Sequence, residues 1–82
     1  MKNDRLAKAE SNVALVRETC LAELREIDAD ARFHYPCATI QINAPLALEQ
    51  LQMETRVRFA QRILALMGYK GRELRIKPGP RS

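Results

Sequence analysis

Residues 6–31, LAKAESNVALVRETCLAELREIDADA, decide how this chain is read. Leu6, Ala9, Val13, Val16, Cys20, Leu24, Ile27 and Ala31 recur at steps of three and four. On a helix they share an arc of roughly 100°, the width of a helix–helix seam. No Gly or Pro interrupts residues 3–35, and Asn3 or Asp4 can cap the start. Glu23 falls where the next apolar residue is due and Leu24 takes over, a stutter that relaxes a left-handed supercoil. A long, fairly straight helix ending near Ala31 or Arg32 is the expectation.

Such a helix is too long for an 82-residue chain to cover with its own core. A chain of this size buries only about 60–65% of its unfolded surface, so a disulfide, a metal or a second copy usually supports it. Two cysteines, Cys20 and Cys37, make no disulfide scaffold. With the single His34 they also lack the spacing of a metal site. A homodimer remains, with Leu6, Val13, Val16, Cys20, Leu24 and Ile27 as its interface. No metal or cofactor is expected.

Beyond the first helix, Phe33-His34-Tyr35-Pro36 breaks the pattern, since Pro36 cannot continue a helix. Cys37 to Ile42 alternates, with Ala38, Ile40 and Ile42 on one side, and reads as a short half-buried strand. Asn43 can cap a second helix from Pro45 to Met67, with Pro45 in the first turn. Gly68 is placed to close it in a left-handed conformation, with Tyr69 folding back onto Leu64. The last turns of that helix are strongly apolar (Phe59, Ala60, Ile63, Leu64, Leu66 and Met67), so they are expected to supply the core, with Gln61 on the polar face. Glu73 to Lys77 alternates again, and Leu74 and Ile76 share a face. The expected fold class is therefore α+β, in the order α-β-α-β. The two strands would join as a right-handed βαβ unit, and dimerisation would complete the sheet. One domain spans 1–77, and 78–82 form a flexible C-terminal tail.

The net charge is +4, and all of it lies in residues 68–82, where Lys70, Arg72, Arg75, Lys77 and Arg81 face only Glu73. Residues 1–32 carry six Lys or Arg against seven Asp or Glu. Glu23, Glu26 and Asp30 share one face near the end of the first helix, where acids oppose the dipole and a basic partner would offset them. Gly68-Tyr69-Lys70-Gly71 has the GXXG form of a nucleic-acid clamp, but such loops join two helices, and here the glycines read as a helix stop and a turn. His34 is the only conventional base at neutral pH, and no serine sits in an elbow motif. No phosphate loop or dinucleotide fingerprint occurs. The first ten residues are polar and charged, unlike a signal peptide, and no apolar stretch approaches the ~20 residues of a membrane span. A cytoplasmic setting is expected.

These readings converge on a non-enzymatic interaction protein that binds a macromolecular partner, protein before nucleic acid. Glu23, Glu26, Asp30, Phe33, Tyr35, Arg72, Arg75 and Lys77 are its candidate contact residues. Compact, motif-free chains of this size are common among bacteriophage and mobile-element accessory proteins that bind and inhibit a host protein. The alternative is a small DNA- or RNA-binding regulator that uses the basic C-terminal strand and tail.

Overall fold

The computed structural model describes the backbone of residues 2–80 and the side chains of residues 7–80. Three helices and one 3₁₀ turn account for its regular structure: α1 (Lys2–Asp28), α2 (Ala31–His34), α3 (Ile40–Leu66) and η1 (Arg72–Arg75). No strand occurs among the described residues, so the fold is helical and the α+β expectation is overturned.

Neither expected strand finds a partner, and each backbone is satisfied closer by, through side chains in the first segment and through backbone 3₁₀ bonds in the second. In the first, Thr39 accepts the Ile42 N–H through its hydroxyl at 3.3 Å and opens a turn at Ile40. Asn43 (φ −151°, ψ 81°) then breaks helical geometry, and its side chain accepts the Leu46 N–H at 3.2 Å. Asn43 is thus the expected cap, with Pro45 harmless in the first turn behind it. The alternation of Ala38, Ile40 and Ile42 is real, but Thr39 and Asn43 turn it into a capped helical entry. In the second, Arg72–Arg75 coils as 3₁₀. Leu74 and Ile76 still pack on the core as their spacing suggests, and Glu73 is buried.

α1 ends three or four residues earlier than expected. The Asp30 side chain accepts the Arg32 N–H at 3.0 Å and starts α2, which drives Phe33 into the core. At the other end of α3 the chain closes as the sequence implies. Gly68 has φ +82°, its N–H bonds to the Ala65 carbonyl at 3.0 Å, and the Tyr69 N–H bonds to the Leu64 carbonyl at 3.0 Å. These two bonds form a Schellman motif.

α1 and α3 pack as an antiparallel hairpin. Arg32 pairs with Glu49 at one end, and Glu23 pairs with Arg56 farther along. The core is Cys20, Leu21, Leu24 and Ile27 from α1, Phe33 from α2, and Met53, Val57, Ala60 and Leu64 from α3. Its α3 positions step by four and three from Met53. That phase corrects the expected one. Phe59 is 66% exposed and Leu66 81% exposed, whereas Gln61 is half-buried and donates to the Glu73 and Ile76 carbonyls at 3.0 and 2.7 Å.

Pro78-Gly79-Pro80, expected as tail, runs back across the break between α2 and α3. The Gly79 N–H bonds to the Phe33 carbonyl at 3.0 Å, and the Cys37 N–H to the Pro80 carbonyl at 2.9 Å. A β-carbon on Gly79 would overlap the His34 and Tyr35 carbonyl oxygens, so only glycine allows this approach.

Candidate functional site

Burial on α1 begins at Cys20. Residues 7–19 bury no side chain, so the N-terminal part of α1 stands clear of the body as an arm. The molecule measures 60 × 21 × 18 Å. Its radius of gyration is 16.3 Å, against about 12 Å for a compact chain of this length.

This geometry splits the interface expected from the stripe. Cys20, Leu24 and Ile27 are buried against α3 of the same chain and cannot also meet a second copy. Val13 and Val16 remain exposed. The Leu6 side chain lies outside the described residues. The apolar surface that the sequence does not foretell is on α3. Phe59 and Ile63 line a shallow groove with Cys20 and Ala60 between the two helices, bordered by Glu23 and Arg56. Val13 and Val16 prolong the α1 side of that surface. A second apolar region surrounds the start of α3, where Ile40, Ile42, Leu48 and Leu51 are exposed. Both regions arise because α3 carries large apolar residues away from its core face.

The candidate contact residues also separate. Phe33 is 1% exposed, so it is a core residue and no contact surface, while Tyr35 beside it is exposed. Asp30 caps α2 and pairs with Arg32 at 2.6 Å. The hydrogen bonds from Arg32 hold its carboxyl well down, at about 2. Glu23 is lowered by its hydrogen bond from Arg56. Glu26 lines a separate recess with Asp30, Arg32, Glu49 and Arg56. The acidic patch is therefore largely neutralised within the chain, and no basic partner is needed to explain it.

The basic residues gather elsewhere. Arg72, Arg75 and Lys77 are exposed around a recess of about 490 Å³ whose other walls are Arg25, Asp28, His34, Glu73, Ile76 and Pro78. Arg25 and His34 are brought here from helices, which the sequence reading missed. The punctuation Gly68, Gly71 and Pro78-Gly79-Pro80 is the signal that the chain returns past them.

Two carboxylates inside the recess are already engaged. Glu73 accepts from the Tyr69 hydroxyl and from Arg25 Nε and Nη2 at 3.3 and 3.2 Å. The Tyr69 hydrogen bond, helped by Arg25, lowers the Glu73 pKa, and the same bond raises that of Tyr69. A β-carbon on Gly71 would overlap the Tyr69 hydroxyl, so Gly71 keeps this latch possible. Asp28 is held by His34, whose Nε2 lies 2.8 Å from the Asp28 carbonyl and 3.0 Å from its carboxylate. Both are acceptors, so Nε2 carries the proton.

The Glu73 latch makes a pH prediction. A carboxyl whose folded pKa lies below its unfolded one stabilises the fold above the unfolded value and loses that contribution as pH falls through the folded one. Glu73 is lowered from an ordinary 4.5. Stability measured by urea melts should therefore fall as pH drops below about 4.5, with Glu73 as a main cause. Glu73→Gln should be less stable than wild type at neutral pH, and the gap should narrow in acid. Parallel curves for the two proteins would remove Glu73 from the account.

The two thiols are free; Cys20 is buried and Cys37 lies 3.6 Å from the Gly79 carbonyl. Among the described residues no three His, Cys, Asp or Glu side chains group as a metal site, and no helix is long and apolar enough to cross a membrane. Compared with protein-family models, with curated proteins and with solved structures, the chain shows no match.

Proposed function

We propose that this chain is a non-enzymatic interaction protein that works as a homodimer, joined through the arm of α1 and the exposed apolar face of the hairpin. The observation that carries this reading is an excess of surface. A folded chain of this mass exposes about 5,000 Å² by size scaling, and this one exposes 6432 Å². The difference, about 1,400 Å², is larger than the ~800 Å² that each partner contributes to a standard interface. Apolar residues lie within that excess: Val13, Val16, Phe59, Ile63 and Leu66. A second copy offers the same arm and the same groove, so one two-fold interface would cover both at once. Helix–helix packing across it would make a bundle from two hairpins. The second apolar region, around Ile40, Ile42 and Leu51, would remain open to another protein.

A role by contact is also supported by how the titratable groups are used. His34 holds Asp28, and Glu73 holds Arg25 and Tyr69, all as supports of the fold.

Sedimentation equilibrium tests the reading. The wild type should weigh twice its 9.4 kDa chain mass at micromolar concentration. Val16→Glu combined with Phe59→Glu should be monomeric and still helical, because both side chains are exposed in the single chain and the charges would be trapped only in the dimer. A wild-type monomer across the micromolar range would overturn the proposal. Leu24→Glu is unsuitable as a probe: Leu24 is fully buried within the chain, and that variant should unfold.

A further inference from the structure

We infer that the recess between α1, α2 and the C-terminal segment binds the phosphate group of a nucleotide or of a nucleic-acid backbone. Four cations, Arg25, Arg72, Arg75 and Lys77, surround it against two carboxylates, Asp28 and Glu73. The carboxylates are spent on partners of their own, Glu73 on Arg25 and Tyr69, and Asp28 on His34. Arg72, Arg75 and Lys77 have no carboxylate partner among the described residues. Elsewhere on the hairpin, Arg32, Arg56 and Arg58 are all paired. Lys8, Arg62 and Lys70 also lack a carboxylate partner among the described residues, but none of them lines the recess; Arg72, Arg75 and Lys77 line it together.

Local geometry aims that charge. Arg72 and Arg75 lie three apart in a 3₁₀ turn, where residues at that spacing eclipse each other on one edge. Lys77 follows the extended Ile76 and lies two residues before Gly79, whose N–H bonds to the Phe33 carbonyl. The turn itself is held by Gln61 and by the Glu73 latch. Three donors on an anchored frame around a concave wall suit a tetrahedral phosphate, whose oxygens point in several directions, better than one flat carboxylate. Arginine is favoured at such sites because its planar fork can bond two phosphate oxygens together. The inference does not depend on the dimer.

Fluorescence anisotropy with a short labelled single-stranded oligonucleotide tests it at low salt and at about 150 mM salt. Wild type should bind. Arg72→Ala, Arg75→Ala and Lys77→Ala together should abolish binding at the higher salt. At low salt they should reduce the salt slope by about two, at roughly 0.7 per lost phosphate contact on a single strand. The three side chains are exposed, so circular dichroism should show the wild-type fold. A control with Lys8→Ala and Arg62→Ala removes two exposed cations outside the recess and should bind as wild type. Competition separates the sources: displacement by a free mononucleotide assigns a single-phosphate site, and displacement only by unlabelled oligonucleotide assigns a backbone site. No binding, equal weakening by the control pair, or equal displacement by poly-glutamate would overturn the inference.

Discussion

Replacing Phe33 with alanine is expected to cost about 3–5 kcal/mol, the range for removing a buried aromatic ring. For a domain this small that is most of the stability available. Phe33 is 1% exposed and sits where every part of the body meets. It belongs to α2, it packs with the α1 and α3 core, and its carbonyl receives the Gly79 N–H. Its ring also stands edge-on to His34, with centroids 5.2 Å apart. Deleting the ring would empty the core, while the backbone carbonyl that receives the Gly79 N–H would remain. Tyr35, two residues on and exposed, is the comparison. Tyr35→Ala should cost well under 1 kcal/mol, as exposed substitutions do. Urea melts followed by circular dichroism would report both, and similar losses for the two would show that α2 does not insert as described.

Gln50→Leu is expected to be the second most damaging change, although it adds apolar surface at a buried position. Gln50 is 7% exposed. Its Oε1 accepts the Ala38 N–H at 2.9 Å, and its Nε2 donates to the Arg32 carbonyl at 3.0 Å, with the Pro36 and Tyr35 carbonyls slightly farther. One side chain therefore satisfies the backbone on both sides of the break between α2 and α3. Leucine would leave those groups buried and unpaired, at about 1–3 kcal/mol for each. That outweighs the gain from the extra apolar area, at most about 1–2 kcal/mol. Amide hydrogen exchange at Ala38 should quicken in the variant. A variant as stable as wild type would show that water replaces the glutamine without loss.

Much of the helical frame is legible in the sequence. Asn43, Pro45 and Gly68 mark the ends of the main span of α3 because each has one backbone geometry it serves best. The spacing of Leu74 and Ile76 forecasts their contact with the core. The sheet is misread because two short alternating runs look like strands only if they have each other. Thr39, Asn43 and Gly71 offer each a closer hydrogen-bonding solution. The phase of α3 is misread only in part: Ala60, Ile63 and Leu64 pack on the core as expected, whereas Phe59 and Leu66 lie off it and Gln50 lies on it. Hydrophobicity ranks Phe59 above Gln61, but a glutamine that bridges two carbonyls is invisible to that ranking. Arg72, Arg75 and Lys77 are close together in the sequence and line one recess. Their companions Arg25 and His34 come from elements far away in sequence, and only the fold brings them together.

The arm of α1 has a consequence for how the molecule behaves on dilution. Its hydrogen bonds run unbroken from Lys2 to Asp28, yet only the part from Cys20 onward is backed by packed side chains. Isolated helices of this length are marginal in water. The two parts of one helix thus have separate melting behaviours: the body opens with the core, and the arm frays on its own. Docking against a second copy would remove that difference, so helix content itself would report occupancy. A solution that loses ellipticity on dilution, with no change in the near-ultraviolet signal of the buried ring, would be releasing arms while the hairpins stay folded.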